Sequence, residues 1–562
     1  KVIPWMLCAS ALLACSGSDG SSAVADGDGS HSGGPSTGGS GEGADGGTGT
    51  GSDGGGAAAT LTATTSPSIA LAAGGTASLG VTIARGGWDG DVSVQATGLP
   101  SGITAPPITI AKGATTGTLA LHASADAKAG DLTVDANGDG LDAKAKVTLA
   151  IGKQSVDSSF GKGGVVYLDP YVDGYDFVLD ATGRAIVSAF APNAGGYDRA
   201  TLIAFGANGQ LDTSFGAKGY AVLDDAALSS PGGLAIQPDG KVVVAYETSL
   251  GSGGTPRVAV ARMLGNGTLD ASFGTGGIGI VDFGTCTSLG GTGDVVLQAD
   301  GTIVVAATLG CTDGTTAYTE GAVARLTTSG AQDASFGTSG KLVLAATTTS
   351  STSVRHVLAT SQGLYVLSTH AYYDSSKGHV TDGIITKYDA NGKTADSAFA
   401  PFTRAGTYDY TPTFSGMLEQ PGKGLVWGQN GGGVFGRLVP TTGVLDTTFG
   451  DGSTTPGMVG LTETYGGDWD DDDVTALELG PSGNLLLAQS NIPKRAIEVW
   501  SYFANGVRDT TGGDADHRII VPVGYAPAVR RGRMGADGRY VVLTGLTSDP
   551  GEPSTALLRF FP

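Results

Sequence analysis

Charged residues, and basic ones above all, are scarce in this chain of 562 residues. They make up 15% of the sequence, and 32 lysines and arginines stand against 53 aspartates and glutamates, so the formal net charge is −21. A field of this sign repels a phosphate backbone, so nucleic acid is excluded as an expected partner. A negative surface favours cations, although the same charge is also typical of an exported protein that only needs to stay in solution.

Familiar catalytic signatures are missing as well. The six histidines are scattered, and there is no Gly-x-Ser-x-Gly elbow, His-Glu-x-x-His helix, phosphate-binding loop or cysteine pair at zinc spacing. A pair of carboxylates for glycoside cleavage stays open, because its two members can be distant in sequence. The sequence singles out no such pair.

Long apolar runs are absent, and the apolar stretches at 2–7 and 11–14 are too short to span a bilayer. They indicate a secretory signal. The stretch ends Leu12-Leu13-Ala14-Cys15, which resembles the lipobox of bacterial lipoproteins. The resemblance implies cleavage after residue 14 and a lipid on Cys15. Ser16 follows in place of an aspartate, which in lipoproteins favours the outer membrane or cell surface. Simple secretion is the alternative.

Cysteine is rare, with four residues in all. Loss of the signal would remove Cys8 and lipidation would consume Cys15, which leaves Cys286 and Cys311 in an oxidising compartment. Pairing is the usual fate of two such thiols, so we predict a disulfide between them. Two buried free thiols are the alternative.

Two segments precede the rest of the chain. Residues 15–58 are Gly, Ser, Asp and Thr with almost nothing apolar, which predicts a flexible tether. Residues 59–152 contain about seven strand-like runs, as an immunoglobulin-like β-sandwich does. The phrase Gly98-Leu99-Pro100-Ser101-Gly102-Ile103 resembles bacterial immunoglobulin-like spacer domains. An Asp-rich stretch at 135–140 resembles half of an EF-hand loop but is better explained as a hairpin turn.

A six-residue phrase then recurs at intervals of about 50 to 63 residues, a period typical of repeat architecture. The clear copies begin at Val156, Leu211, Leu269, Gln332 and Leu445, and weaker ones at Ala395 and Val507. Between copies lie Val- and Thr-rich runs joined by turns such as Pro238-Asp239-Gly240. Four antiparallel strands per unit are typical of a propeller blade. Residues 153–562 are therefore expected to form a β-propeller of seven repeats, and the fold class to be all-β.

The repeated residues resemble a known family. Leu-Asp-x-Ser-Phe-Gly, Pro-Asp-Gly-Lys-Val-Val-Val-Ala, Val-Ala-Arg and Asn-Gly-x-Leu-Asp together are similar to the delta-sixty repeat family of bacterial β-propellers. The resemblance covers the repeats from Val156 to the end of the chain. It implies architecture and no reaction.

The phrase itself is interpreted as structural. We expect its Asp to form an Asx turn, its Phe to pack between blades, and its Gly to adopt a conformation closed to other residues. A basic residue recurs near the end of most repeats and is expected to pair with the phrase Asp. Its copies are Arg262, Arg325, Lys387, Arg437 and Arg559.

Function is sought in the connections that do not repeat. Three on successive units carry aromatic and acidic residues, and alternation of strand direction predicts that they share one face. Aromatic rings stack on sugars and carboxylates hold calcium, although acidic loops are often only solvated. The candidates for ligand binding are Tyr372, Tyr373, Tyr408, Tyr410 and Trp469, and those for calcium are Asp470, Asp471, Asp472 and Asp473.

These observations predict a lipid-anchored, monomeric surface protein whose propeller binds a glycan or protein without catalysis. An extracellular carbohydrate-active enzyme on the same scaffold is one alternative, and a purely structural surface protein is another. Two carboxylates deep in the central channel below an open pocket would favour the enzyme. Dispersed aromatic residues on an open face would favour binding.

Overall fold

A computed structural model describes residues 59–561 with short internal gaps. The gaps fall at 73–75, 125–126, 153–154, 193–197, 224–228, 250–255, 285, 287, 407–410, 431–432, 453–454, 462–475, 482, 511–517 and 548–551.

The described residues form 38 β-strands and no helix. Runs of β-branched residues between glycine-rich turns give this result, because branched side chains fit a pleated surface and glycine accepts the turn conformations. No helix in the described part of the chain is therefore long and apolar enough to cross a bilayer. The predicted all-β class is confirmed.

The N-terminal module consists of two sheets around one core that includes Leu79, Val94, Leu119 and Val134. The first sheet has the order β1-β3-β7-β5 and the second β2-β9-β8-β4-β6. The strands are β1 (Thr60–Thr65), β2 (Ser68–Ala72), β3 (Thr76–Gly86), β4 (Val92–Thr97), β5 (Ile103–Thr104), β6 (Ile108–Ile110), β7 (Thr116–Ala123), β8 (Gly130–Gly138) and β9 (Leu141–Gly152).

The Asp-rich stretch of this module is a tight hairpin turn. Asp139 and Gly140, with φ of 53° and 74°, join β8 to β9, and Gly138 pairs with Leu141 across them. Two successive residues with positive φ are typical of a type I′ turn. The interpretation as a hairpin is confirmed.

Six four-stranded sheets follow, each built from consecutive antiparallel strands. The strands of the first three are β12 (Asp173–Leu179), β13 (Ala185–Pro192), β14 (Asp198–Phe205), β15 (Tyr220–Val222), β16 (Ser229–Ile236), β17 (Val242–Ser249), β18 (Pro256–Met263), β19 (Ile278–Val281), β20 (Ser288–Leu297), β21 (Ile303–Thr312), β22 (Ala317–Leu326) and β23 (Lys341–Leu344). Those of the next three are β24 (Ser350–Thr360), β25 (Gly363–Asp374), β26 (Gly378–Tyr388), β27 (Phe402–Arg404), β28 (Thr413–Gln420), β29 (Gly424–Asn430), β30 (Val434–Leu438), β31 (Met458–Gly460), β32 (Ala476–Leu479), β33 (Leu485–Asn491), β34 (Ala496–Tyr502) and β35 (Arg518–Pro522).

The last sheet combines both ends of the repeat region. Its strands are β10 (Ser155–Val156), β11 (Val165–Tyr167), β36 (Ala526–Met534), β37 (Tyr540–Thr547) and β38 (Thr555–Phe561). β10 and β11 both pair antiparallel with β38. The start of the repeats therefore supplies the outer strands of the last sheet.

Hydrophobic cores lie between successive sheets. Each of seven core clusters draws buried residues from two neighbouring sheets. One of them joins Val541, Leu543 and Leu557 of the last sheet to Phe177 and Val187 of the β12–β15 sheet. The sequence of shared cores therefore returns to its beginning, and the sheets form a β-propeller.

The phrase is offset from the sheets by one strand. In the β12–β15 sheet it lies between β14 and β15, where Asp212 N–H donates to the Ala204 carbonyl at 2.8 Å and turns the chain back onto β14. A repeat that begins at the phrase therefore contributes its first strand to one sheet and its other three strands to the next. The period is as predicted, but the expectation that one sheet equals one phrase-first unit is wrong.

Within each clear copy the phrase makes the predicted local contacts. Asp270 Oδ1 accepts from the Ser272 N–H at 3.1 Å, which closes an Asx turn, and Phe273 is fully buried. Gly274 has φ of 53°, and its N–H donates to the Ser329 carbonyl of the next sheet at 2.7 Å. A Cβ on Gly274 would lie 2.1 Å from the Ile278 carbonyl oxygen, so only glycine fits.

The recurrent basic residue pairs with the phrase aspartate, as expected. Arg262 Nε lies 2.9 Å from Asp270 Oδ2, its guanidinium lies 4.6 Å from the centre of the Phe273 ring, and it donates to the Thr328 carbonyl of the next sheet at 2.8 Å. One side chain thus connects two sheets. In the β12–β15 sheet, where the residue is missing, Arg184 contacts Asp212 at 3.2 Å instead.

Candidate functional site

Strand alternation defines two faces of the propeller. Hairpins from the second to the third strand of a sheet and connections from one sheet to the next lie on the same face, which we call the rim face. This follows because all strands within a propeller sheet pair antiparallel. The offset of the phrase does not change which connections share this face.

Two of the predicted ligand-binding residues lie on the rim face, on a hairpin formed by β25 and β26. The region expected to be a loop is a strand extension, in which Tyr372 pairs with Val380 and Tyr373 with His379. The Tyr373 side chain is 65% exposed and its ring lies edge-on to His379 at 5.4 Å. An aromatic ring is therefore presented to solvent.

Tyr372 is held more firmly. Its hydroxyl donates to Asp382 Oδ2 at 3.3 Å and its ring stacks on His370 at 5.1 Å. Burial and the adjacent Asp382 carboxylate raise the pKa of the Tyr372 hydroxyl, so it stays a neutral donor at physiological pH.

The remaining candidates lie outside the described residues. They are Cys15, Tyr408, Tyr410, Trp469, Asp470, Asp471, Asp472 and Asp473.

The predicted disulfide is present between Cys286 and Cys311, whose Cα atoms are 4.4 Å apart. Cys286 precedes β20, the first strand of its sheet, and Cys311 lies near the end of β21, the second strand. The bond therefore joins a sheet-to-sheet connection to the neighbouring hairpin on the rim face. Glu320 lies beside these sulfurs, but a disulfide leaves no thiolate for a metal.

We expect the Cys286→Ser, Cys311→Ser double variant to lose about 3 kcal/mol of unfolding free energy. The bond closes a loop with a sequence separation of 25 residues, and restricting that loop in the unfolded chain has this magnitude. Urea denaturation of both proteins measures the difference, and peptide mapping without reductant identifies the bond. Free thiols at both positions would contradict the assignment.

A charged cluster missed by the sequence interpretation lies at the centre of the propeller. It consists of Asp176 on β12, Asp294 on β20, His356 on β24 and Arg531 on β36, which we call the channel cluster. Arg531 contacts Asp294 through Nη2 and lies 3.3 Å from Asp176 through Nε, and His356 Nδ1 lies 3.1 Å from Asp294 Oδ2. Side chains from four sheets can meet only where the first strands surround the central channel.

β-Bulges aim these side chains into the channel. The register of the first strand shifts between Gly174 and Asp176 on β12, and between Val354 and His356 on β24. A bulge re-aims the side chain that follows it. On β20 a Cβ at Gly293 would lie 2.4 Å from the Arg355 carbonyl oxygen, so glycine permits the close approach beside Asp294.

Asp294 and Arg531 form an ionised pair within the channel cluster. Burial alone would raise the pKa of the Asp294 carboxyl, but Arg531 and His356 outweigh it and hold that pKa well below its usual range. The carboxylates of Asp294 and Asp176 likewise outweigh burial and raise the pKa of Arg531. A carboxylate held in this way does not serve as a proton donor near neutral pH.

Two cavities meet at the channel cluster, and His356, Leu367, Ser415 and Arg531 line both. The upper cavity, about 640 Å³, is lined by the beginnings of the first strands and so lies toward the rim face. The lower cavity, about 260 Å³, lies on the other side of the cluster.

The lower cavity contains a carboxyl of different character. Burial raises the pKa of Glu478, an effect that Arg533 opposes. Arg533 Nη2 also lies 3.4 Å from Asp176 Oδ1. Asp294 and Glu478 line the same cavity, and their pKa values are displaced in opposite directions.

The repeated six-residue phrase does not predict the channel cluster, because no residue of the cluster belongs to the phrase. A usable signal was present in the strands predicted between phrase and hairpin. Asp176, Asp294, His356 and Arg531 are charged or titratable positions on strands expected to be largely buried, and Arg355, Arg530 and Arg533 beside them share this property.

One family model matches part of the repeat region and supports the β-propeller architecture. The family described as "Domain of unknown function (DUF5122) beta-propeller" matches residues 237–273 and 298–336. No curated protein matches the chain.

Solved structures show distant likeness. Penicillium chrysogenum alpha-L-arabinanase complexed with arabinobiose is 10% identical, with 73% of this chain and 97% of that chain covered and a TM-score of 0.35. A quinonprotein alcohol dehydrogenase-like protein from Bacteroides thetaiotaomicron is 10% identical over 81% and 94%, with a TM-score of 0.29. PorZ, a surface component of the type-IX secretion system of Porphyromonas gingivalis, is 11% identical over 88% and 69%, with a TM-score of 0.28. Likeness at this level carries no inference about ligand or activity.

Proposed function

We propose that this protein is a non-catalytic binding module at the outer membrane or cell surface, anchored by a lipid on Cys15. In this proposal residues 1–14 are the signal, 15–58 a tether, 59–152 an immunoglobulin-like spacer and 153–562 a seven-bladed, monomeric propeller. The ligand is a glycan or protein that meets the rim face. A calcium site at Asp470 to Asp473 remains part of the proposal.

The observation that supports binding over catalysis is the floor of the upper cavity. Arg531 and His356 line it. Arg531 engages the carboxylates of Asp176 and Asp294, which line the lower cavity. The pKa of the Asp294 carboxyl is lowered. Such a floor offers fixed charges to a ligand and no ready proton. Tyr373 adds an exposed ring on the same face, a typical surface for stacking on a sugar or a peptide side chain.

A glycan and peptide binding screen of the full chain tests this function, followed by titration of each hit with the Tyr373→Ala variant. We expect that variant to bind about tenfold more weakly, because a stacked aromatic ring contributes about 1–1.5 kcal/mol. Phe503→Ala is the matched control. Phe503 is 44% exposed and follows β34, in a turn on the opposite face, so its loss should leave affinity unchanged. A screen without hits, or equal losses in both variants, would refute the proposal.

A carbohydrate-active enzyme is the second candidate, and one observation favours it. Displaced pKa values in a single cavity are typical of an acid and a carboxylate that share a reaction, and Glu478 and Asp294 fit that description. Hydrolysis of a glycoside by the full chain, abolished in Glu478→Gln, would establish the enzyme. Equal activity in that variant would exclude Glu478 as its acid.

A further inference from the structure

The upper cavity concentrates positive charge in an acidic protein. Arg355, Arg530 and Arg531 all line it, together with His356, and Asp173 is its one lining carboxylate among the described residues. Arg530 Nη2 pairs with Asp173 at 2.8 Å, and Arg531 with the carboxylates of the channel cluster. The chain as a whole carries −21, whereas the lining of this cavity contains three arginines and one carboxylate.

Arg355 differs from the other two arginines of the cavity in the contacts of its guanidinium. It is exposed, and no described residue forms an ion pair or hydrogen bond with its guanidinium. Arg530 also keeps 31% of its side chain exposed beside Asp173. A free guanidinium at the wall of a cavity matches a carboxylate in geometry, since two parallel N–H groups meet two oxygens.

A buried hydroxyl with no partner points to a ligand in the same cavity. The Ser415 side chain is only 8% exposed, and its Oγ has no hydrogen-bond partner among the described residues. A buried hydroxyl left unpaired is costly, so Ser415 is suited to a group that enters the cavity it lines.

Further hydroxyls line the same wall and define what kind of group that is. They belong to Ser353, Ser368, Thr369, Thr381 and Thr413, while Phe414 adds an apolar patch. Ser353 and Thr369 hydrogen bond to each other at 2.6 Å, and Ser368 donates to the Ile384 carbonyl at 3.4 Å. Hydroxyls both donate and accept, as sugar hydroxyls do, whereas a simple dicarboxylate offers acceptors alone. Carboxylate, hydroxyls and a weakly apolar ring face occur together in uronic acids.

We propose that the upper cavity binds an acidic saccharide, with a uronate carboxylate on Arg355 and ring hydroxyls on Ser415 and its hydroxyl neighbours. This assignment rests on the proposed binding function and names its ligand class. The cavity of about 640 Å³ is within the range of sites that bury small ligands.

Isothermal titration of the full chain tests the assignment with disaccharides of galacturonate, mannuronate and glucuronate. Each is measured beside its counterpart in which the carboxyl is reduced to the alcohol. We expect at least one uronate disaccharide to bind at least tenfold more tightly than its reduced counterpart. Its affinity should fall between about 50 and 300 mM NaCl, because salt screens exposed charges.

Two variants locate the site. Arg355→Gln is expected to weaken uronate binding at least tenfold, while Arg257→Gln, which removes an exposed arginine of β18 that does not line the cavity, leaves it unchanged. Ser415→Ala should weaken the acidic and the reduced sugar alike, by several-fold. Melting curves verify that each variant is folded.

Each contrary result has a distinct meaning. Equal affinity for acidic and reduced disaccharides overturns the acidic assignment and leaves the binding function intact. Binding of a peptide through its free C-terminal carboxylate, without binding of any disaccharide, overturns the saccharide and again leaves the binding function. An unchanged affinity in Arg355→Gln overturns the site. No binding in these titrations or in the wider screen overturns both proposals.

Discussion

Replacing Asp157 by alanine is expected to destabilise the protein by about 3–5 kcal/mol, because it leaves the buried Arg559 without its carboxylate partner. Asp157 is 2% exposed, and its Oδ2 lies 2.8 Å from Arg559 Nη2 and 2.9 Å from Arg539 Nε. Asp157 follows β10 at the start of the repeats, whereas Arg559 belongs to β38 at their end. The variant therefore weakens the junction that joins the two ends of the repeat region.

Equilibrium denaturation in urea measures this loss, and Asp212→Ala provides the matched control. Asp212 has the same place in its copy of the phrase, but its partner Arg184 is 18% exposed, and both residues lie within one sheet. Partly exposed pairs contribute about 1 kcal/mol or less. Similar losses in the two variants would show that the junction is no more sensitive than any other copy of the phrase.

The architecture was accessible from sequence because the repeated residues act locally. Asp270, Ser272 and Gly274 form their turn within five positions of one another, and the hairpin glycines do the same, so each copy of the phrase carries its own evidence. The disulfide was accessible for another reason, since few thiols remain once the signal is removed.

The sequence did not predict which strands of neighbouring repeats belong to the same sheet. Four strands in a repeat can be divided into sheets at any connection, and the sequence marks the turn at the phrase without showing which strand the chain pairs with next. The structure shows that β15 returns to β14, while β11 completes the sheet of β36–β38. Pairing between distant strands depends on packing of the whole ring.

The contacts of the channel cluster could not be predicted from the sequence. Asp176 and Arg531 are separated by most of the repeat region, and neither has a sequence neighbour that predicts the contact. Their meeting follows from the number of sheets and from bulges at Gly174 and Val529, two features that only the folded ring defines. A repeat motif predicts what every sheet shares, whereas this cluster depends on what single sheets do differently.

Replacing Phe273 by alanine is expected to cost about 3–5 kcal/mol, as large-to-small changes at fully buried aromatic positions do. The ring is fully buried in the core between the second and third sheets of the propeller. Arg262 covers it at 4.6 Å from the ring centre, and the backbone of Gly330 packs so closely that an added Cβ would lie 2.9 Å from ring atoms.

The loss of unfolding free energy should be large because the neighbours of Phe273 cannot fill the space that its ring leaves. Gly330 has φ of 88° and no side chain to move into the space, and Arg262 is held by Asp270 and by the Thr328 carbonyl. The cavity therefore stays open instead of collapsing, which sets the cost near the upper part of the range. Phe503→Ala, at a 44% exposed position, should change stability by no more than about 0.5 kcal/mol. If denaturation shows a loss below about 1 kcal/mol for Phe273→Ala, the phrase phenylalanine does not hold successive sheets together.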